Sequence, residues 1–232
     1  MTCGSSSRPC ADTVRAAAAG LALLLACSPA AEAPPPVAAR PLFEPPAVGS
    51  YELPRVDSVA DYELLDVQGR PSWLLGLSEG QVAVVSFVYR GCADADGCPL
   101  ALATLRELDR ALAADPQLAH RTRLVTASFD PERDRPEQMM QLRRHMAPES
   151  DWRFLTLAEP SALAPMLDDF GQDVIRLATA DGEDSGLIRH VMKVFLVDAE
   201  GSVRNIYSAG FIDWRVVRND ILTLHGQSRG AG

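Results

Sequence analysis

The sequence offers two thiols, Cys92 and Cys98, close enough along the chain to act on one substrate or one ion. An apolar run rich in β-branched residues, Val82 to Tyr89, precedes them, and Pro99 stands where the first residue of a helix belongs. The two cysteines are therefore predicted to lie in a loop between a buried strand and a helix. Thiols in such a loop can close a structural disulfide, exchange disulfides with another protein, or bind a soft metal ion.

Five residues separate the two cysteines, and their types leave these alternatives open. Cys98 is expected at the N-cap of the helix, where unpaired backbone N–H groups and the helix dipole would lower its pKa. Asp94 and Asp96 act in the opposite direction, because their charges raise the cost of two neighbouring thiolates unless a cation joins them. Gly91 and Gly97 give the loop the freedom either to close a disulfide or to wrap around a metal ion.

The elements that must position this loop alternate along the chain. Apolar runs predict four buried strands, at Val82–Tyr89, Arg123–Phe129, Trp152–Thr156 and Val191–Val197. Apolar residues at helical spacing predict four helices, which begin near Pro99, Asp134, Ser161 and Asp213 and end near Leu112, Met146, Gly171 and Gly226.

Two hairpins are also predicted, one pairing residues 62–67 with 72–75 and one around a turn at 198–201, with a long loop before the second. This order of elements predicts a thioredoxin-like α/β fold. Helices would flank a mixed central β-sheet, and the first β-hairpin would lie at the N-terminal end of the domain.

Three separated segments resemble the SCO/SenC family, thioredoxin-fold copper proteins that assist assembly of the copper centre of cytochrome c oxidase. They are Ser86-Phe87-Val88-Tyr89 running into Cys92 and Cys98-Pro99, Ser128-Phe129-Asp130-Pro131-Glu132-Arg133-Asp134-Arg135-Pro136, and His190 followed by a strand and the turn Asp198 to Gly201. The resemblance spans roughly residues 61–212. The chain departs from the family in its cysteine spacing, because the family usually places three residues between its cysteines and this chain has five.

The resemblance implies that copper is the bound metal and that His190 is its third ligand beside Cys92 and Cys98. Soft thiolates select Cu(I), and a neutral imidazole is acceptable to both oxidation states of copper. Without the resemblance, a single histidine before a strand is more often structural.

The remaining residues of interest have simpler expected places. Three histidines near helix ends are predicted at the surface: His120, His145 and His225. Phe87 and Tyr89 are expected to pack in the core. Asp130 follows a strand and is a candidate to support the cysteine loop from behind.

The N-terminus is typical of an exported lipoprotein. Arg8 and Arg15 precede an uncharged run, residues 16–26, that has the length of a secretory signal and is too short to span a bilayer. The run ends in Leu24-Leu25-Ala26-Cys27-Ser28, which resembles the lipobox of bacterial lipoproteins. Residues 1–26 are therefore predicted as the signal peptide and Cys27 as the lipidated residue, the alternative being an ordinary signal that leaves Cys27 as a free thiol.

Residues 27–50 are rich in proline and are predicted as a polyproline II tether, and the folded domain is predicted over residues 51–232. A lipid on Cys27 would place the protein in the cell envelope, facing the periplasm. Ser28 after the cysteine suggests the outer membrane.

Charge and composition narrow the function further. The 22 Lys and Arg residues against 31 Asp and Glu residues give a net charge of −9, which argues against a nucleic-acid partner and favours a basic protein partner. The favoured function is a membrane-tethered copper chaperone that receives copper through Cys92, Cys98 and His190 and passes it to an acceptor such as the copper subunit of cytochrome c oxidase. The first alternative is a thiol-disulfide oxidoreductase that uses the two thiols without His190. A more distant alternative is a thiol peroxidase, with Arg90 beside Cys92.

Overall fold

The apolar runs predicted as strands form the middle of a six-stranded sheet in the computed structural model, which describes residues 43–92 and 94–230. The strands are β1 (Asp57–Ser58), β2 (Glu63–Leu65), β3 (Pro71–Trp73), β4 (Val82–Val88), β5 (Thr122–Ser128), β6 (Trp152–Leu155), β7 (Val174–Ala178), β8 (Asp184–His190), β9 (Lys193–Asp198) and β10 (Ser202–Ser208). The helices are α1 (Cys98–Ala113), α2 (Pro116–His120), α3 (Pro136–Met146), α4 (Leu163–Asp169) and α5 (Trp214–Gly230), with a single 3₁₀ turn at Pro160–Ala162 before α4.

The sheet is mixed, as predicted. Its strands lie in the order β1-β10-β9-β4-β5-β6. Strands β4, β5 and β6 run parallel, whereas β9 is antiparallel to β4 and β10 is antiparallel to β9. The predicted N-terminal hairpin is formed by β2 and β3, which make a separate two-stranded sheet.

Both faces of the sheet are covered, which explains why its central strands show no polar alternation. Every residue of β4 is buried. Val82 and Val84 pack in a cluster with apolar residues of α1 and α5, and Ala83, Val85 and Phe87 pack in a second cluster with the β2–β3 hairpin and α4. These features confirm the predicted thioredoxin-like arrangement of a mixed sheet between helices.

The predicted long loop before the last hairpin is wrong, because it contains the antiparallel pair β7 and β8. This pair forms its own two-stranded sheet, and most of its residues are exposed or half-buried. Only Ile188 of the pair is buried, so the ribbon lacks the regular apolar alternation by which a half-buried strand is recognised. His190 is consequently the last residue of β8, and β9 begins at Lys193 rather than at Val191.

The end of the last helix and the exposure of one histidine also differ from expectation. Helix α5 continues beyond Gly226 to Gly230, since a single glycine within a helix costs only about 1 kcal/mol. His225 is buried rather than at the surface, because it lies one helical turn after Ile221 on the face of α5 that packs in the core. His120 and His145 are exposed, as predicted.

The segment that precedes Tyr51 is hydrogen-bonded to helix α5. The Gly49 backbone N–H donates to Thr223 Oγ1 at 2.9 Å, and the Asn219 side chain donates to the Pro46 carbonyl at 2.9 Å. The described residues, 43–92 and 94–230, form one compact unit. The predicted signal peptide and Cys27 lie outside the described residues, and no helix within the described part has the length and apolar character needed to cross a membrane.

The turn after β9 depends on Gly201, and a second glycine with a left-handed backbone conformation, Gly182 between β7 and β8, serves as its comparison. Gly201 has φ +75°, and a Cβ there would lie 2.6 Å from the Val59 carbonyl oxygen, whereas Gly182 has φ +85° and open space around it. We expect Gly182→Ala to lower the free energy of unfolding by about 1 kcal/mol and Gly201→Ala by roughly 3 kcal/mol, since the second must also displace the backbone beside β1. Urea unfolding measures both values, and equal losses would contradict the role of the Val59 contact.

Candidate metal centre

The cysteine loop is built from short-range turns that bring its two ends together. The Cys92 backbone N–H donates to the Tyr89 carbonyl at 3.2 Å, and the Gly97 N–H donates to the Asp94 carbonyl at 3.0 Å. Gly97 is the N-cap of α1, and a Cβ on it would lie 3.3 Å from Cys92 Sγ. Glycine at this position therefore lets the Cys92 sulfur fold back over the start of the helix, so the five-residue spacer still leaves the two thiols close.

His190 reaches the same place from the end of β8. Its Nε2 lies 3.4 Å from Cys98 Sγ. The ring stands edge-on to Phe129, with centroids 4.8 Å apart, and edge-on to Tyr89 at 6.0 Å. Aromatic side chains thus hold the imidazole from two sides and orient it toward the thiols.

The three predicted ligands converge. Ligand atoms of Cys92, Cys98 and His190 all lie within 4.8 Å of one another, and both cysteines are free thiols. Sulfur and nitrogen ligands bound at about 2.0–2.3 Å in a trigonal plane would be separated by roughly 4 Å, so small side-chain adjustments would let these three hold one ion. The donor set and its geometry therefore fit a soft metal ion.

The predicted lowering of the Cys98 pKa is wrong, because the pKa is raised. Cys98 is the first residue of α1 rather than its N-cap, and its side chain is buried. Burial raises the pKa of the Cys98 thiol, because desolvation of the thiolate outweighs the favourable backbone N–H groups. Burial also lowers the pKa of His190, against the opposing charge of Asp94.

These shifts define the state of the site. A protonated Cys98 and a neutral His190 face each other, so the site carries no fixed positive charge of its own. A metal ion that binds there must displace the Cys98 proton, since only the thiolate is a ligand.

Asp134 supports the cysteine loop, a role that the sequence prediction missed. It was expected to start a helix, but Arg135 is the N-cap of α3 and the Asp134 carboxylate turns inward instead. Its Oδ2 accepts hydrogen bonds from the Arg90 backbone N–H at 3.1 Å and from Ser128 Oγ at 2.8 Å. The carboxylate therefore joins the exit of β4 to the end of β5. Its position within the family-like segment 128–136 is the signal that could have identified it.

Asp130 supports the part of the site that carries His190, the β7–β8 hairpin. Its carboxylate contacts not the cysteine loop but two guanidinium groups, those of Arg133 at 3.3 Å and Arg176 at 2.9 Å. Arg133 also pairs with Asp184 at 2.6 Å. This Asp–Arg cluster of four residues ties the segment after β5 to the β7–β8 hairpin, whose last residue is His190.

A second contact fixes the same hairpin. The Tyr89 hydroxyl donates to the Ile188 carbonyl at 3.3 Å and accepts from the Ile188 backbone N–H at 3.4 Å. Tyr89 is buried, as predicted, and follows β4 directly. The strand that leads to the cysteines thus also holds the strand that carries His190.

The domain has a thioredoxin-like fold and brings two cysteines and one histidine together. This is the arrangement of a thiol-containing metal-binding protein. The sequence model of the SCO1/SenC family matches residues 52–223. The chain therefore belongs to the SCO1/SenC family. A comparison with curated protein sequences found no match.

Solved Sco structures share this fold. Arabidopsis thaliana ScoI with copper bound is 18% identical with a TM-score of 0.59, and the match covers 73% of this chain and 98% of that one. Apo Sco1 from Thermus thermophilus is 25% identical with a TM-score of 0.58, covering 78% and 97%. BsSco, described with a disulfide switch and as a member of the Sco family of cytochrome c oxidase assembly proteins, is 21% identical with a TM-score of 0.57, covering 78% and 98%.

Removing one guanidinium from the Asp–Arg cluster tests whether the cluster holds the hairpin. In Arg176→Met the buried Asp130 keeps only Arg133, and we expect the backbone amides of β7 and β8 to exchange with solvent roughly fivefold faster, as for the loss of about 1 kcal/mol. Hydrogen exchange measured by NMR reports this directly. Arg189→Met is the control, because Arg189 is exposed on β8 and no described residue forms an ion pair with it. Unchanged exchange in Arg176→Met would show that the cluster does not hold the hairpin.

Proposed function

We propose that this protein is a membrane-tethered copper chaperone that takes up copper through Cys92, Cys98 and His190 and passes it to a protein acceptor, such as the copper subunit of cytochrome c oxidase. The observation that carries the proposal is the convergence of these three ligand atoms within 4.8 Å of one another. The copper-bound state of the similar Arabidopsis ScoI supports copper as the cargo.

The donor set favours copper over zinc. Two thiolates and an imidazole suit Cu(I) in a trigonal site, and the same set with an open position suits Cu(II). Zinc would want a fourth protein ligand in a closed structural site. Among the described residues, no other histidine, cysteine or carboxylate joins this group.

The burial of the three ligands suits transfer by ligand exchange. Cys98 is 2% exposed, whereas Cys92 and His190 are half-buried. An acceptor ligand can approach on the side of Cys92 and His190 and displace them first, while Cys98 holds the ion until the acceptor set is complete. The proton that Cys98 loses on loading returns to it when copper leaves, so the raised thiol pKa assists release.

Substitution of each ligand tests the copper site. We expect Cys92→Ser, Cys98→Ser and His190→Ala each to weaken Cu(I) binding by more than the roughly 10–100-fold loss typical of an outer-shell partner, because each removes a direct ligand. Competition with a Cu(I) chelator measures the affinity. His120→Ala is the matched control, since His120 is exposed at the end of α2 and is not one of the three converging ligands.

The same variants distinguish the copper function from the main alternative, a thiol-disulfide oxidoreductase. In that reaction the Cys92 thiolate attacks an acceptor disulfide, and Cys98 then attacks Cys92 to release the reduced acceptor and leave a Cys92–Cys98 disulfide. Two observations support this alternative: Cys92 and Cys98 are free thiols, and a disulfide switch is described for the similar BsSco. If His190→Ala binds copper like the parent while either serine variant abolishes disulfide exchange, the redox function replaces the copper function.

Membrane attachment is proposed from the sequence of the N-terminus. Cys27 follows an apolar run that ends in a lipobox-like segment, and several acyl chains on one residue would anchor the protein durably in the cell envelope. The proline-rich residues between Cys27 and the domain would hold the copper site away from the membrane surface.

The lipid anchor has a direct test. When the chain is expressed in a bacterium with a lipoprotein pathway and fed a labelled fatty acid, we expect the label and the membrane association to be lost in Cys27→Ala and kept in Cys10→Ala. The reason is that Cys10 lies within the predicted signal peptide, which is removed. Label that persists in Cys27→Ala would place the lipid elsewhere.

A further inference from the structure

A groove of about 390 Å³ opens beside the two thiols. It lies between α1 and the last turns of α3, and Cys92 and Cys98 line one end of it. The groove is therefore continuous with the candidate metal centre rather than a separate cavity.

The floor of the groove is apolar because α1 has two apolar faces. Residues 101, 105, 108 and 112 pack in the core beneath α1. Leu102 and Ala103 lie on a different side of the helix and line the groove, opposite Met146 of α3. Leu102 is only half-buried, so part of this second face is open to solvent.

The rim of the groove is positively charged. The guanidinium groups of Arg90 and Arg106 carry this charge, and no described Asp or Glu lines the groove. Arg90 donates to the neutral amide of Gln141 at 3.2 Å, and no described residue forms a hydrogen bond or ion pair with the Arg106 guanidinium. This contrasts with the Asp–Arg cluster, where Arg133 and Arg176 are paired with carboxylates. An apolar floor beside guanidinium groups that have no carboxylate partner matches an occupant that brings its own carboxylates.

We propose that this groove docks a segment of the copper acceptor in which an apolar side chain is flanked by acidic residues. The inference rests on the proposed copper-transfer function for the identity of the partner. The apolar side chain enters between Leu102 and Met146, and the flanking carboxylates pair with Arg90 and Arg106. Residues that follow in the same segment then lie at Cys92, where an incoming ligand meets the ion.

The local charge of the groove and the net charge of the chain act at different ranges. The net charge of −9 favours approach of a partner that is basic overall. Within contact distance the two guanidinium groups select the acidic segment, because exposed charges beyond a Debye length of about 8–10 Å are screened.

Labelled peptides test the docking site with the full chain in detergent. The probes are a fluorescein-labelled Glu-Leu-Glu-Leu-Glu peptide and two matched peptides, one with Gln in place of Glu and one with Ser in place of Leu. From two partly exposed ion pairs and one buried apolar side chain, we expect the first peptide to bind at least roughly fivefold more tightly than either of the others, as measured by fluorescence anisotropy. Equal binding of the three peptides would overturn the proposal.

Variants locate the binding. Arg106→Gln is expected to remove about half of the preference for Glu over Gln, since Arg90 remains, and Leu102→Gln most of the preference for Leu over Ser. Arg110→Gln is the control, because Arg110 lies one turn further along α1 and pairs with Glu107 outside the groove. An equal loss of preference in Arg110→Gln would assign the binding to general charge rather than to the groove.

Copper titration of the same proteins separates the two proposals. The groove variants are expected to bind Cu(I) like the parent, since none of them changes a ligand. If copper binds normally and the peptides are not distinguished, the docking site is wrong and the copper function stands. If the peptides are distinguished and the parent fails to bind copper, the groove is a docking site and the copper function is wrong.

Discussion

The candidate metal centre depends on one long-range contact, between the end of β8 and the loop that follows β4. His190 and Cys98 are 92 positions apart in the chain, and their side chains meet at 3.4 Å. The contact is supported by Tyr89, the residue after β4, which is hydrogen-bonded to the backbone of Ile188 in β8, and by the burial of Ile188 in the same apolar cluster. The sheet itself does not supply this contact, since β8 pairs only with β7 among the described strands.

The position of the histidine is consequently decided by a few polar and aromatic contacts. A two-stranded ribbon is marginally stable when isolated in water, and this one exposes Ile175 and Leu187. Ile188 is its one buried residue, and ion pairs to the buried Asp130 and the packing of His190 on Phe129 add to this small apolar contact. Such an arrangement can hold the imidazole near the thiols while leaving one side of the site open to a partner.

Burial decides the chemistry of the site more than the helix dipole does. A cysteine at the start of a helix is often a reactive thiolate. Here desolvation raises the pKa of the Cys98 thiol and lowers that of the His190 imidazole, so both groups are neutral without a metal ion. A neutral donor set of this kind suits the uptake of a cation with release of a proton. It suits nucleophilic attack poorly, so in a redox reaction the attacking thiol would be the half-buried Cys92.

The sequence by itself predicted the central strands of the sheet and the two thiols in the loop after β4, and its resemblance to the SCO/SenC family predicted His190 as the third candidate ligand. Runs such as Val82 to Tyr89 are apolar throughout because both faces of the sheet are covered, and that pattern is visible without coordinates. Only the tertiary structure decided how the ligands meet, how deeply Cys98 is buried, and that Asp134 and Arg176 hold the two halves of the site. These properties depend on contacts between distant segments and on desolvation. Neither leaves a periodic signal in the chain, because a ribbon that buries one residue and is otherwise held by ion pairs shows no apolar alternation, and a pKa depends on every neighbour in space.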